Sequence, residues 1–273
     1  MTWVLDEQAR SVPVRAEQTG SVSAADQQWG LPELVPVVGT SPKGIPDGVV
    51  RGWLTAEPVA DPHGAWRRWA RRFDRSGFWP LMTSTVPDRP FLSGELLLPA
   101  PPADAAAVLR RRWEGMRPVR ADGTLLPHPP WSGLAVGVGE PPAAGVVLPR
   151  LPGGDHPRRL ILVPARRPAD TLAQLGWHGA CNWFLTGADV AGVLRSWEDR
   201  FGAYVVAVGF AELDLVVTRP PQDAEQSRVL AHEHIAFCPD NFSPQDSFDA
   251  APLDPEEYAA RLHTAQVWHF WWD

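Results

Sequence analysis

The sequence predicts an α+β protein in which a Trp-rich α/β N-terminal half precedes a C-terminal domain of the split β-α-β-β-α-β type. Short apolar runs, typical of buried strands, alternate with segments whose apolar residues recur at helical spacing. In the last third of the chain these segments follow the order β-α-α-β-β-α-α-β, which reduces to a split β-α-β pattern. The 30 prolines among 273 residues predict many loops and short elements.

The chain divides by composition into four parts. Residues 1–47 are punctuated by proline and glycine, which predicts an irregular N-terminal segment, and residues 48–126 form an N-terminal α/β region. The stretch 127–157 is rich in proline and glycine and is the best candidate for a linker. Residues 158–273 then form the C-terminal domain.

In the N-terminal region the patterns predict two strands and two helices. Strands are expected at 49–54 and 77–84, and helices at 64–73 and 103–116. The first of these helices places Trp66 and Trp69 on one apolar face and four arginines on the other side.

In the C-terminal domain the most strongly marked helix begins with a capping box formed by Thr186 and Asp189 and ends at Gly202. The last strand places Phe270 and Trp272 on one face, and His269 and Trp271 on the other, because side chains alternate along a strand. The remaining predicted elements are strands at 159–165, 203–210 and 213–218 and helices at 168–176, 223–237 and 255–264.

Several motifs of the C-terminal part occur in the same order in one known family. They are GACNW (179–183), VLRSWEDRFGAYVVAVGF (193–210), EHIAFCPDN (233–241), EEYAARL (256–262) and FWWD (270–273). On these motifs the segment Leu160–Asp273 resembles a bacterial family known as domain of unknown function 4253. The segment 76–82 also looks like the region that precedes this domain in longer family members. The resemblance implies no activity, substrate or catalytic residue.

Charge and motif content exclude several classes of function. A formal net charge of −7 argues against nonspecific binding to nucleic acid or anionic membranes. The sequence has no apolar run of about 18 residues, as a membrane-spanning helix requires, and no recognisable secretion signal, so we expect a cytoplasmic protein. Neither a GxxxxGK[ST] nor a GxGxxG motif occurs, and we expect no cofactor.

The stretch 231–242, AHEHIAFCPDNF, contains the densest group of reactive side chains. Successive helical residues rotate by about 100°, so His232 and His234 point apart, whereas His234 and Cys238 share a face. None of the spacings is a zinc pattern, and we expect no metal. The alternative is that these residues have a purely structural role. In that case the inward face of the helix includes His234 with a buried hydrogen-bond partner, and the cysteines lie in the core.

Two classes of function remain. One is a noncatalytic protein-binding or regulatory protein, such as a toxin-neutralising immunity protein by analogy of fold and context. Its expected binding residues are Trp66, Trp69, Trp271 and Arg195, because tryptophan and arginine are enriched at binding hot spots.

The alternative class is a small-substrate hydrolase or transferase that uses Cys181, His234 and Asp240. It draws on a superficial likeness of GACNWFL to papain-like amidohydrolases, in which a cysteine at a helix start pairs with a histidine. The acidic pair Glu198 and Asp199 is expected to form local ion pairs with Arg195 on a solvated helix face.

Overall fold

The α+β class is confirmed by the structure, a computed structural model that describes residues 31–41, 43–84, 89–116, 128–139, 158–242 and 254–272. Within these ranges the chain forms seven α-helices and one mixed sheet of seven strands. Most of the predicted linker, and residues 1–30 of the predicted irregular segment, lie outside the described residues.

The sheet contains strands from both halves of the chain, in the order β1-β2-β4-β3-β5-β6-β7. All neighbouring strands are antiparallel except β3 and β5, which run parallel and pair at Met82 and Ala207. The strands are β1 (Leu34–Thr40), β2 (Pro46–Thr55), β3 (Phe78–Ser84), β4 (Arg158–Pro164), β5 (Ala203–Val208), β6 (Glu212–Val217) and β7 (Val267–Trp271).

The helices follow the predicted order closely. They are α1 (Pro62–Ala70), α2 (Phe73–Ser76), α3 (Ala105–Gly115), α4 (Thr171–Leu175), α5 (Gly187–Phe201), α6 (Ala224–Phe237) and α7 (Pro255–Leu262). For α5 both bonds of the predicted capping box between Thr186 and Asp189 are present. The helix stops at Gly202, whose φ of 57° lies in the left-handed region that glycine adopts without strain.

The C-terminal strands do not form a separate sheet, although their predicted order along the chain is present. Strand β3 lies between β4 and β5, so these two strands run in opposite directions and are not hydrogen-bonded to each other. The side chains of Leu81 and Met82 in β3 are fully buried. A strand buried in this way must satisfy its backbone on both edges, and β4 and β5 provide those partners.

The prediction of irregular structure over 1–47 is wrong for the residues that form β1. The segment Leu34–Thr40 pairs with β2 through most of its length, with irregular register near Val38. Pro36 interrupts the apolar pattern of this segment, but proline is tolerated on an edge strand because one row of its backbone groups is not needed for pairing.

The tryptophans mainly fill the core. The ring of Trp197 on α5 packs against Phe237 of α6 and against Trp268 and Phe270 of β7, with centroid separations from 4.9 to 5.6 Å. Burial on one face of β7 and exposure of His269 on the other confirm the predicted alternation of this strand. None of the helices in the described ranges is long and apolar enough to cross a membrane.

Candidate functional site

The motif EHIAFCPDN (233–241), which covers the end of α6 and the turn after it, begins with a buried carboxylate. Glu233 is fully buried, and Arg200 of α5 donates two hydrogen bonds to it, at 2.8 and 2.6 Å. The indole of Trp197 and the backbone N–H of Ala135 donate the other two bonds, at 2.8 and 2.7 Å. Four donors thus satisfy both carboxylate oxygens, which makes burial of this charge tolerable.

The next residue, His234, lies in an aromatic enclosure. Its Nδ1 is 2.8 Å from the hydroxyl of Tyr258, so the predicted hydrogen-bond partner is present for this nitrogen, whereas Nε2 is buried with no partner among the described residues. The rings of Trp197 and Trp268 lie 4.7 and 4.6 Å from the imidazole. Burial, and secondarily the charge of Arg200, hold the pKa of His234 well below its ordinary value.

The residues that follow α6 bind the edge strand β7. The Asn241 side chain donates to the backbone oxygen of His269 at 2.6 Å and accepts from the N–H of Trp271 at 3.1 Å. The thiol of Cys238 is 3.0 Å from the backbone oxygen of Trp271. Burial raises the pKa of the Cys238 thiol to about 12, so this group is an inert thiol at neutral pH.

The GACNW motif (179–183) contacts the end of α6 and the turn that follows it. The indole N–H of Trp183 donates to Asp240 at 2.5 Å. Arg112 of α3 donates to the backbone oxygens of Trp183 and Ala236, at 2.7 and 3.1 Å, and thus links the two motifs. Asp240 therefore acts as a structural acceptor that holds Trp183 against the end of α6.

The structure does not assemble Cys181, His234 and Asp240 into a catalytic group. Cys181 is exposed, contrary to the expectation of a core thiol, and its Sγ lies 3.9 Å from the Asn182 side chain. His234 has no exposed surface, and no hydrogen bond joins it to Cys181 in the part of the chain that the structure describes. A nucleophile and its base must lie within hydrogen-bond reach in an accessible site.

Metal-ligating side chains are likewise dispersed. Over the described ranges, no three His, Cys, Asp or Glu side chains come together as metal ligands would. His234 and Cys238, the pair with compatible helical spacing, bond instead to Tyr258 and to the backbone of Trp271.

Helices α1 and α2 carry a cluster of arginines. Four arginines, Arg67, Arg68, Arg71 and Arg75, are exposed, and Arg72 is half-buried. Only Asp61 and Asp74 provide acidic side chains on this segment, and Arg68 lies 3.8 Å from Asp61. Arg67, Arg71 and Arg75 form no ion pair with any residue that the structure describes.

Two of the predicted binding residues do not face solvent. Trp66 and Trp69 are buried, and the ring of Trp66 packs edge-on against Trp79 of β3 at 5.3 Å. The apolar face of α1 therefore packs against the core, as is usual for an amphipathic helix. These two tryptophans anchor the helix that carries the exposed arginines.

The other two predicted binding residues, Trp271 and Arg195, lie on a strand and on a helix respectively. Trp271 is half-buried on the more open face of β7. Arg195 pairs with Asp170, at 2.5 Å, and the prediction that Glu198 and Asp199 pair with it is wrong. Both acidic residues are instead bound by Arg167, because residues 168–170 bring this part of the chain alongside α5.

Sequence reasoning missed the bond between Arg200 and Glu233. Arginine at the end of one helix and glutamate within another resemble ordinary surface residues in both segments. One signal could have indicated burial of Glu233. Glu233, His234, Ala236 and Phe237 point in different directions from α6 and all are buried, so this helix is covered on more than one side.

In this α+β protein, residues of the recurring motifs bind the end of α6 and the turn that follows it to the edge strand β7. Residues 159–273 match the family model described as Domain of unknown function (DUF4253). The C-terminal segment therefore carries this domain, and the resemblance drawn from its motifs is confirmed. No curated protein and no solved structure was found to match the chain.

Proposed function

We propose that this protein is a noncatalytic, cytoplasmic protein-binding protein and that the arginine surface of α1 and α2 binds an acidic protein partner. The observation that carries the proposal is the series of five arginines between positions 67 and 75, four of them exposed. This local positive charge stands on a chain whose net charge is −7.

The chemistry of arginine supports a carboxylate-bearing partner. A guanidinium group presents planar, paired donors that match a carboxylate, and it loses less hydration on binding than an ammonium group. Charge complementarity of this kind raises association rates and selects the partner's sign of charge. The negative charge of the remaining chain disfavours extended polyanions such as nucleic acid, which approach with charges over a long path.

Rigid placement of the helix also favours binding. Because Trp66 and Trp69 are buried and Asp61 caps the helix by accepting a hydrogen bond from Gly64 at 2.8 Å, α1 is held in place before a partner arrives. Preorganisation reduces the entropy that an interface must otherwise lose on association.

The cysteines support the proposed location and class. Both are free thiols, as is usual in a reducing compartment. The complete burial of His234, with no hydrogen bond to Cys181 in the described ranges, favours binding over the alternative of cysteine-dependent catalysis.

The test compares two variants of equal charge in affinity capture from a nuclease-treated extract of the native host. One variant carries Arg67→Glu, Arg68→Glu and Arg71→Glu. The matched control carries Arg110→Glu, Arg228→Glu and Arg261→Glu on other helices, where Arg110 and Arg261 are exposed and Arg228 is half-buried. We expect an acidic protein to bind the wild type and the control but not the first variant.

The captured protein is then purified and titrated against all three chains at low and high salt. Binding that weakens with salt and is lost only in the α1 variant supports the proposal. A partner equally retained by both variants contradicts it, as does turnover of a small molecule that depends on Cys181.

A further inference from the structure

Residues 128–139, here named the strap, form an extended segment that lies across helices α3, α5 and α6. At its first end, His128 Nε2 is 2.8 Å from the backbone oxygen of Trp113, and the Trp113 indole donates to the backbone oxygen of Pro129 at 2.8 Å. The imidazole of His128 also lies over the Trp113 ring, with centroids 4.5 Å apart. The strap is thus fixed to α3 at this end.

In the centre of the strap, one residue has both backbone groups bound by the same ion pair. The N–H of Ala135 donates to Glu233 at 2.7 Å, and the carbonyl of Ala135 accepts from Arg200 at 2.8 Å. A neighbouring β-strand satisfies a residue in the same way, with one acceptor and one donor side by side. The buried Glu233–Arg200 pair therefore acts as a side-chain substitute for a strand edge.

The second end of the strap is bound by the last turn of α5, the segment after β6 and the first turn of α6. The N–H of Val138 donates to the backbone oxygen of Arg200 at 2.8 Å, and Arg219 donates to the carbonyl of Val138 at 2.9 Å. Gln226 of α6 donates to the carbonyl of Val136 at 2.5 Å. Nearly all of these bonds are made to strap backbone, which any sequence offers.

Side-chain size restricts which sequence fits. Ala135 is almost fully buried, so a larger residue has no room there. A Cβ added at Gly137 would lie 3.0 Å from the Cα of Arg200, whereas one added at Gly139 would meet nothing within 4 Å. Val136 is 79% exposed and imposes no such limit.

We propose that the surface of α3, α5 and α6 is a binding site for an extended peptide with small residues at the positions of Ala135 and Gly137, and that the strap is its resident occupant. A partner protein that presents such a segment takes the strap's place. Recognition follows the backbone-directed mode of peptides that add to a sheet edge. This site is separate from the arginine surface of α1 and α2 and does not rest on the function proposed for it.

Tethering determines how the site must be tested. Because the strap is part of the chain, it competes at an effective concentration on the order of millimolar. A free peptide therefore binds with an affinity reduced by the fraction of molecules whose site is open. A substitution that displaces the strap without changing the site raises this fraction.

The experiment uses the full chain with Gly137→Val, in which the new side chain collides with α5. A fluorescent peptide with the wild-type sequence of residues 128–139 is titrated by anisotropy. We expect it to bind this variant at least about tenfold more tightly than it binds the wild type. Gly139→Val is the matched control, and we expect it to behave like the wild type. A peptide carrying Ala135→Leu should bind the Gly137→Val chain at least about tenfold more weakly.

Thermal unfolding and near-ultraviolet circular dichroism establish that each variant is folded. If Gly137→Val does not fold, Gly137→Ala, which adds one methyl group to the same contact, replaces it. A folded variant of either kind that fails to bind the peptide more tightly than the wild type overturns the proposal. Equal binding of the wild-type and Ala135→Leu peptides overturns it as well.

Discussion

Removal of the Glu233 carboxylate should strongly destabilise this protein. Its carboxylate is fully buried and receives bonds from Arg200, Trp197 and Ala135. Substitution by alanine would remove the carboxylate partner of the guanidinium and leave two further donors without their acceptor. We expect Glu233→Ala to lower the free energy of unfolding by about 3–5 kcal/mol, the range found when one partner of a buried pair is removed.

Chemical denaturation of the wild type and of Glu233→Ala measures this loss. The control is Glu225→Ala, a substitution on the same helix. Glu225 pairs with Arg228 on the exposed side of α6, where a surface ion pair contributes about 0–1 kcal/mol. Equal destabilisation by Glu233→Ala and Glu225→Ala would show that burial of the first pair has no special energetic weight.

His269 gives the protein a pH-dependent stability contribution of a definite sign. Its Nδ1 lies 2.7 Å from the Asp214 carboxylate across the β6–β7 pair, and this hydrogen bond raises the pKa of His269. A group whose pKa is raised by folding stabilises the native state fully below its unfolded pKa. That stabilisation is lost as the pH rises through the folded value.

We therefore expect the wild type to exceed His269→Gln in unfolding free energy by more at about pH 5.5 than at about pH 8.5. Denaturant titrations of both proteins at the two pH values measure this difference. The rest of the chain is identical in the two proteins, so pH effects that do not involve residue 269 cancel in the comparison. A difference that stays constant, or grows with pH, would contradict the assigned ion pair.

At the scale of elements, local signals in the sequence were sufficient for α5 and insufficient for β1. Thr186 and Asp189 mark the start of α5 and Gly202 marks its end through interactions within a few residues, so a local pattern identifies them. Strand β1 has weak alternation and a central proline, and its conformation depends on pairing with β2. No local pattern encodes such a partner.

The same distinction holds for the motif residues. The inward orientation of His234 and Cys238 follows from helical periodicity and was predicted. The bond from Trp183 to Asp240 joins residues 57 positions apart, and Glu233 meets the strap 98 positions away. Residue types alone suggested a catalytic group at this place because the sequence does not record which side chains are enclosed.

For the whole molecule, the position of β3 predicts that the family domain cannot fold alone. Strand β4 has β2 and β3 as its sheet neighbours, and β5 has β3 on one side. The indole of Trp79 in β3 also donates to the backbone oxygen of Val205 in β5 at 2.8 Å. A fragment of residues 158–273 would thus expose both edges of β4, one edge of β5 and much of the core.

We expect this fragment to lack the cooperative thermal transition of the full chain and to elute as aggregates in size-exclusion chromatography. Coexpression with residues 31–139 as a separate chain should restore a folded complex, because these residues supply β1, β2, β3 and the strap. A fragment that unfolds cooperatively by itself would show that the sheet neighbours of β4 and β5 are dispensable.

The order of synthesis gives the placement of β3 a further consequence. Both neighbours of this strand in the sheet, β4 and β5, leave the ribosome after it. Until they emerge, both backbone edges of β3 have no final partners in the nascent chain. Exposed edges and apolar surface are what chaperones bind and what aggregation uses. The interval between translation of β3 and translation of β5 is therefore the period in which each new molecule is most exposed to misassembly.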